Sequence, residues 1–371
     1  MSEEAPGDDD AQDGRPADRP LRSGWTTGAC AAAAAKAAYM ALRDGRFPDA
    51  VTITLPGGQQ PSFALAQRAL GDGEATAGVV KDAGDDPDVT HGALILATVA
   101  LLPPGSAIRY RAGAGVGTVT RPGLPLAVGE PAINPAPRAM IATALAEVAG
   151  GAVPPVVVTI AIPGGEKLAA RTLNGRLGIV GGLSVLGTTG IVTPYSCSAW
   201  IHSIHRGIDV ARASGLAHVA ISTGSTSEAA VQRLHALSET ALIDMGDFIG
   251  GTLKYLRRHP VPRVTLAGGF AKLAKFAQGA MDLHSSRSQV KLDRLAEFAR
   301  AAGADQALVA GIVACDSAGQ ALALADAAGI GLADAVARAA RSAMQEQLPA
   351  ETAIDVAVFD RAGALIGHAG P

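Results

Sequence analysis

Four carboxylates, a lysine and a histidine fall within Lys81-Asp82-Ala83-Gly84-Asp85-Asp86-Pro87-Asp88-Val89-Thr90-His91, directly after the apolar stretch 75–80. Acids crowded beside a strand either hold a divalent cation or move protons. The D-x-D-x-D-G spacing of a calcium loop and its distal glutamate are absent; Asp85, Asp86 and His91 are the candidates, either to accept a proton or to position a substrate. A solvated turn is the plain alternative. Thr26-Thr27-Gly28 opens an alanine-rich run, where helix-end N–H groups and two hydroxyls would receive an anion. An ordinary N-cap uses the same residues. Thr223-Gly224-Ser225 forms a strand–turn–helix corner, and Asp244 closes the next predicted strand 20 residues after Gly224. In an open α/β sheet such a corner takes the backbone or anionic end of a ligand, and the acid takes ribose hydroxyls. A nucleoside cofactor fits that pattern; with one glycine, so does a plain βαβ unit.

Three further patterns carry less. Gly113-Ala114-Gly115-Val116-Gly117 runs between two β stretches, whereas a dinucleotide fingerprint needs a strand before it and a helix after it. Its glycines suit a bulge or a close backbone approach. Ala267-Gly268-Gly269-Phe270-Ala271-Lys272 is another strand-to-helix corner, with Lys272 near the strand ends. His202 and His205 have a chelating i, i+3 spacing but no third ligand and no HExxH, which favours a structural role.

These residues need elements to hold them. A helix over the alanine run, capped by Thr26 or Thr27, is predicted to about Arg43 with a stop at Gly45, because alanine is the best helix former and glycine the best terminator. Strands are predicted at 51–55, 75–81, 93–101, 108–111, 116–120 and 156–162, with a helix from Pro137 to Val148. Val51–Gly58 closely echoes Val158–Gly165, and Thr26-Thr27-Gly28 recurs as Thr188-Thr189-Gly190. The echo suggests two similar strand–turn units pairing across one sheet. From Cys197 onward, strands at 217–222, 241–244, 263–267 and 355–359 alternate with helices, the signature of a parallel sheet covered on both faces. The fold expectation is therefore two-domain α/β: an N-terminal α+β domain with a mixed sheet (21–194) and a C-terminal Rossmann-like three-layer parallel sheet (195–371).

The chain has 371 residues, 48% hydrophobic and 18% charged, which excludes disorder. Its net charge of −3 conceals an acidic tail: residues 1–20 carry seven acids and two arginines, leaving the body at +2. Such a body is no general nucleic-acid binder. The tail reads as a disordered leader without the apolar core of a signal peptide. No apolar run is long enough for a bilayer, and three scattered cysteines make no disulfide framework. A cytoplasmic protein that binds neither nucleic acid nor membrane is expected.

The segments Gly24–Lys36, Val80–Gly92, Gly113–Arg138, Thr172–Pro194 and Thr223–Glu228 together resemble the cobalt-precorrin-5B C1-methyltransferase family (CbiD) of cobalamin biosynthesis. The runs 81–88 and Gly129-Glu130-Pro131-Ala132-Ile133-Asn134-Pro135 are the most specific. The resemblance covers Leu21 to Phe359; Trp25 departs from the family's usual tyrosine, keeping an aromatic wall and losing a phenol. It implies methyl transfer from S-adenosyl-L-methionine to C1 of a ring-contracted cobalt corrinoid, giving cobalt-precorrin-6A. It carries over no assigned catalytic residue. The cobalt would belong to the substrate, so no protein-bound metal is expected. An anionic corrinoid needs cations and N–H donors; Thr26, Thr27, Gly28, Lys36, Lys81, Arg121, Arg138, Arg176 and Lys272 are the candidates. The cofactor is expected at Thr223, Gly224, Ser225 and Asp244, and the corrinoid between the domains. A homo-oligomer and contacts with other pathway enzymes are further partner expectations. Two alternatives remain: a nucleotide-dependent phosphotransferase using Gly113–Gly117, and a non-catalytic tetrapyrrole carrier.

Overall fold

Helix α1 (Thr27–Asp44) follows its local signals closely. The Thr26 hydroxyl oxygen accepts from Ala29 N at 3.2 Å, and Gly45 closes the helix in the left-handed region at φ 70°. Ala29 and Ala31–Ala35 have no exposed surface, because side chains this small let neighbours reach the helix backbone. The computed structural model describes residues 20–370. The predicted acidic tail, apart from Pro20, lies outside them.

The described chain divides into two units. The first holds residues up to Thr118, Pro131–Thr172 and Gly181–Ser196; the second holds Val119–Glu130, Leu173–Val180 and the chain from Cys197 onward. In the first unit, β1 (Gly24–Trp25) precedes α1, and β2 (Ala50–Thr52) pairs with β3 (Ser62–Ala64) in a separate hairpin. The main sheet joins β4 (Gln67–Leu70), β5 (Glu74–Val80), β6 (Leu94–Leu101) and β7 (Arg109–Ala112). β8 (Thr118–Val119) falls at the boundary of this unit, α2 (Pro135–Val148), β9 (Val156–Ala161), α3 (Gly165–Ala169) and β11 (Ile191–Val192) complete it, and β10 (Ile179–Val180) belongs to the second unit. The order in the sheet is β4-β5-β6-β9-β7; every pair is antiparallel except β7 with β9. It is thus a mixed sheet, and α1 packs on β5, β6 and α2.

The suggested symmetric pairing is not formed. Val51 belongs to the β2–β3 hairpin, whereas Val158 lies in β9 of the main sheet. Pro56-Gly57-Gly58 turns a hairpin, with Gly58 N donating to Leu55 O at 2.8 Å. The matching Pro163-Gly164-Gly165 starts α3 instead. The second echo does meet in space: Thr26 N donates to Gly190 O at 2.9 Å, where β1 pairs with β11. Regular pairing is also shorter than predicted over 51–55 and 116–120. Ile53 N and Leu55 N bond Pro61 O and Gln59 O outside the ladder, and Gly117 N turns to Leu183 O.

From Cys197 onward the second unit holds α4 (Cys197–Ala213), β12 (His218–Ser222), α5 (Ser225–His235), β13 (Leu242–Asp244), α6 (Ile249–Arg258), β14 (Arg263–Gly269) and α7 (Phe270–Ala277). It continues with α8 (Leu292–Ala301), α9 (Gln306–Val313), α10 (Ala318–Ala327), α11 (Leu332–Gln345), β15 (Ala353–Phe359) and β16 (Leu365–Ala369). The sheet order is β13-β12-β14-β15-β16. The first four strands are parallel and β16 is antiparallel, so the sheet is mixed and not purely parallel. The edge strand escaped prediction because Leu365-Ile366-Gly367-His368-Ala369 is short and broken by glycine. That glycine is required: a Cβ on Gly367 would lie 2.5 Å from the Ala333 carbonyl carbon.

Both faces of this sheet are covered, unequally. Val219, Ile221, Val264, Leu266, Ile354, Val356 and Val358 join the large core shared with the other helices. The alternate residues Ala220, Ala267, Ala357 and Phe359 meet Ala230 and Val231 of α5. Continuous apolar runs buried on both sides are what a covered parallel sheet requires. No helix among the described residues is long and apolar enough to cross a membrane.

Candidate functional site

Strands β12, β13 and β14 end side by side, with Ser222 registered between Asp244 and Ala267. Residues just past those ends gather on one edge of the sheet, where ligands of open α/β folds sit. Thr223 N still bonds Ala267 O at 3.0 Å. Gly224 is then fully extended, and no side chain caps α5, unlike α1, α9 and α10, which Thr26, Asp305 and Ser317 cap. Added Cβ atoms on Gly224 or Gly269 would meet nothing within 4 Å. Ser225 and Thr226 are exposed. The first turn of α5 is thus an open N–H end beside two bare backbone positions.

Charged groups ring this edge. Arg176 forks onto Glu228, with Nη1 donating to Oε2 at 2.8 Å and Nη2 to Oε1 at 2.6 Å. Lys272 Nζ donates to Thr223 O at 3.1 Å and lies 3.2 Å from Asp247 Oδ1. Asp244 Oδ1 accepts from Gly246 N at 3.2 Å. Burial, then the neighbouring Glu228 carboxylate, push the Asp244 pKa upward against the pull of Arg176 and Lys272. A crevice floored by Leu173, Ser203, Gly207 and Leu242 leads to Arg176 and Asp244. Three carboxylates thus face two cations. Such an edge suits a ligand with hydroxyls or positive charge and opposes a polycarboxylate.

The structure therefore unites Thr223, Gly224, Ser225 and Asp244, and adds Arg176 and Lys272 to them. Those two cations were expected at an anionic substrate; their charges are instead taken up by acids of their own unit. Asp247 and the pairing of Glu228 escaped the sequence reading. Their signals are slight: an acid in the first turn of α5 and a second acid three residues after Asp244.

In the first unit, the acid-rich loop is a clamp. Arg22 holds Asp82 with Nη1 at 2.5 Å and Nη2 at 2.9 Å, and Arg22 N donates to Asp85 Oδ2 at 2.8 Å. The Arg22 guanidinium keeps Asp82 down at about 2. Asp86 Oδ1 accepts from Tyr195 N at 2.9 Å. Asp85 and Asp86 thus bind main chain, a task that differs from accepting a proton or positioning a substrate. His91 Nδ1 accepts from Ala83 N at 3.1 Å.

Most of the other predicted anion-binding groups also meet partners within the fold. Lys81 is 3% exposed, pairs with Asp88 and donates to Thr90 Oγ1 at 2.5 Å. Lys36 Nζ binds Thr52 O at 2.6 Å and Glu147 at 2.5 Å. Arg138 Nε donates to Ile133 O at 2.7 Å, and its guanidinium lies 5.2 Å from the Tyr110 ring centre. At α1, Gly28 N donates to Leu186 O at 2.9 Å and Ala29 N to Thr26, while Thr27 is buried. That helix end is an internal cap with its donors engaged, which removes the basis for an anion site at Thr26, Thr27 and Gly28. Arg121, in the second unit, is exposed.

The glycine loop is filled by backbone. A Cβ on Gly115 would sit 1.9 Å from Ile162 O; one on Gly165 or Gly182 would sit 2.2 or 2.3 Å from Gly115 O. No phosphate cradle remains, so the phosphotransferase reading falls. His205 stacks on Tyr255 at 3.8 Å, and Tyr255 stacks on His259 at 4.2 Å.

Comparison with known proteins bears on the whole chain. The family model CbiD matches residues 15–194, and the model for the CbiD C-terminal domain matches residues 282–370. A protein of Paramagnetospirillum magneticum named cobalt-precorrin-5B C(1)-methyltransferase is 61% identical over 94% of this chain and 98% of its own. A like-named protein of Rhodospirillum rubrum is 58% identical over 98% of this chain and its own full length. A crystal structure of a cobalamin biosynthesis protein (cbiD) from Archaeoglobus fulgidus shares 27% identity over 73% of this chain and 84% of its own, with a TM-score of 0.39. On the family models and the named relatives of 58–61% identity, the chain belongs to the CbiD family.

Proposed function

We propose that this chain is the methyltransferase that carries a methyl group from S-adenosyl-L-methionine to C1 of cobalt-precorrin-5B, giving cobalt-precorrin-6A in corrin-ring biosynthesis. The observation that carries this reading is the identity of 55–61% over nearly the full chain with proteins named for that reaction. A cytoplasmic location and functional domains at 21–194 and 195–371 belong to the same reading, with the second domain taken as a Rossmann-like cofactor fold.

The sheet edge of the second unit fits the cosubstrate. Gly224 and Gly269 leave backbone open where any Cβ would stand, and the uncapped first turn of α5 offers N–H donors to a carboxylate. Asp244 would accept ribose hydroxyls, and the net acidic surround favours a cationic sulfonium. When bound, the cosubstrate supplies an electrophilic methyl group and departs as a thioether. The chain's residues then bind, align and exclude water, with no protein nucleophile. Asp85 and Asp86 act through the loop they pin. Exposed Arg121 is the predicted cation best suited to a substrate carboxylate.

Mass spectrometry of the protein with S-adenosylmethionine and the cobalt corrinoid tests the reading. One added methylene mass with stoichiometric S-adenosylhomocysteine is expected. Corrinoid binding without mass gain, and with the cosubstrate intact, overturns it in favour of a carrier.

A further inference from the structure

Trp200 stands in the first turn of α4 with 47% of its surface exposed. Along α4, Ser203, Ile204 and Gly207 line the crevice that leads to Asp244. Position 200 lies three, four and seven residues before them, so it continues the same helix face to the end of the crevice. The indole reaches the Asp244 turn itself. Its Cζ2, Cε2 and Nε1 atoms lie 3.6, 3.7 and 3.7 Å from the point where a Cβ on Gly246 would stand. Gly246 N is the donor to the Asp244 carboxylate. Phe248 supports the indole at 6.5 Å between ring centres, tilted by 47°.

A nucleoside whose ribose hydroxyls donate to Asp244 has a planar base attached to that same ribose. Trp200 is an exposed aromatic surface at this turn, within contact of the Gly246 position. We propose that Trp200 is the stacking wall for the adenine ring of the cosubstrate. This inference rests on the proposed placement of the nucleoside at Gly224 and Asp244. Gly246 itself sits in the left-handed region at φ 53°, which favours glycine at this turn.

The test is calorimetric titration of the full chain with S-adenosylhomocysteine, which binds without reacting. Trp200→Ala should weaken binding about fivefold or more, the usual worth of base–aromatic stacking, and Trp200→Phe should restore most of it. In a Trp25→Phe background Trp200 is the sole indole, and its emission should fall on binding adenosine but not methionine. Asp244→Ala separates the two layers of the argument. If Trp200→Ala leaves affinity intact while Asp244→Ala weakens it, the stacking wall is overturned and the nucleoside placement stands. If neither substitution changes affinity, the placement fails and this inference fails with it. If Trp200→Ala raises only the KM for the corrinoid, the indole serves the macrocycle, and the adenine assignment is overturned.

Discussion

Lys81 shows what a residue's type leaves undecided. A lysine beside four acids reads as a ligand for carboxylates, yet its ammonium is buried against Asp88 and Thr90. Lys81→Met removes the cation and strands the Asp88 carboxylate. The expected cost is about 3 kcal/mol of folding stability, read by urea unfolding. Loss of corrinoid affinity at unchanged stability would return Lys81 to the binding role. Arg176 is the same lesson with another outcome. Its fork is complete on Glu228, so Arg176→Leu should loosen α5 and change cosubstrate affinity more than corrinoid affinity, measured by separate titrations. The acid cluster was legible as a cluster. Its hydrogen-bond partners Arg22 and Tyr195 were not, because both are distant in sequence.

At the scale of elements, the alanine run of α1 and its stop at Gly45 were legible, and its cap was narrowed to Thr26 or Thr27, because these signals are all local. The same alanines make a prediction. Ala33 is fully buried in a helix packed on α2, β5 and β6. Ala33→Leu should therefore destabilise the fold by about 1–3 kcal/mol through overpacking, seen as a lower urea midpoint at an unchanged slope. A neutral substitution would mean the neighbours can recede. Two-residue strands such as β1 and β11 were not legible, since nothing local marks a partner well over a hundred residues away. The echo of Val51–Gly58 in Val158–Gly165 misled for a related reason. Pro-Gly-Gly permits a hairpin or a helix start, and the backbone of Gly115 packed against Gly165 decides between them.

Across the whole second unit, a buried polar network ties six elements together. Asp355 on β15 is 0% exposed and meets His368 Nε2 at 2.6 Å, His235 Nε2 at 2.8 Å, Arg263 Nη2 at 3.1 Å and Thr265 Oγ1 at 3.2 Å. His218 Nε2 meets Thr265 Oγ1 at 2.7 Å, and Asp334 accepts from His368 N. Burial, then Arg263 and His235, push His218 down to about 4. A depressed histidine pKa means the unfolded chain takes up a proton that the folded chain refuses. Stability should therefore fall as pH drops from about 6.5 toward about 4. His202 and His205, also lowered by burial, add the same sign. Burial opposes the Asp355 charge, but His368, Arg263 and His235 outweigh it and hold its pKa down. Its contribution is lost only below the usual carboxylate range. Urea midpoints measured from pH 7 to pH 4 should decline, and His218→Asn should flatten that decline. An unchanged slope would assign the acid loss elsewhere.

The sequence by itself determined what is encoded locally or in long motif runs: the family, the reaction it implies, the alternation of strands and helices, and the Gly224–Asp244 corner. These survive because caps, periodicity and contiguous motifs need no knowledge of distant partners. Only the tertiary structure decided which charges remain for a ligand. Lys36 and Arg176 each meet an acceptor from a remote segment, Lys81 and Arg138 are taken up by acceptors that the folded loop brings round a few residues away, and Trp200 meets the Gly246 turn only because α4 packs beside β13. A side chain's type sets its chemistry, but its availability depends on neighbours that folding alone assembles.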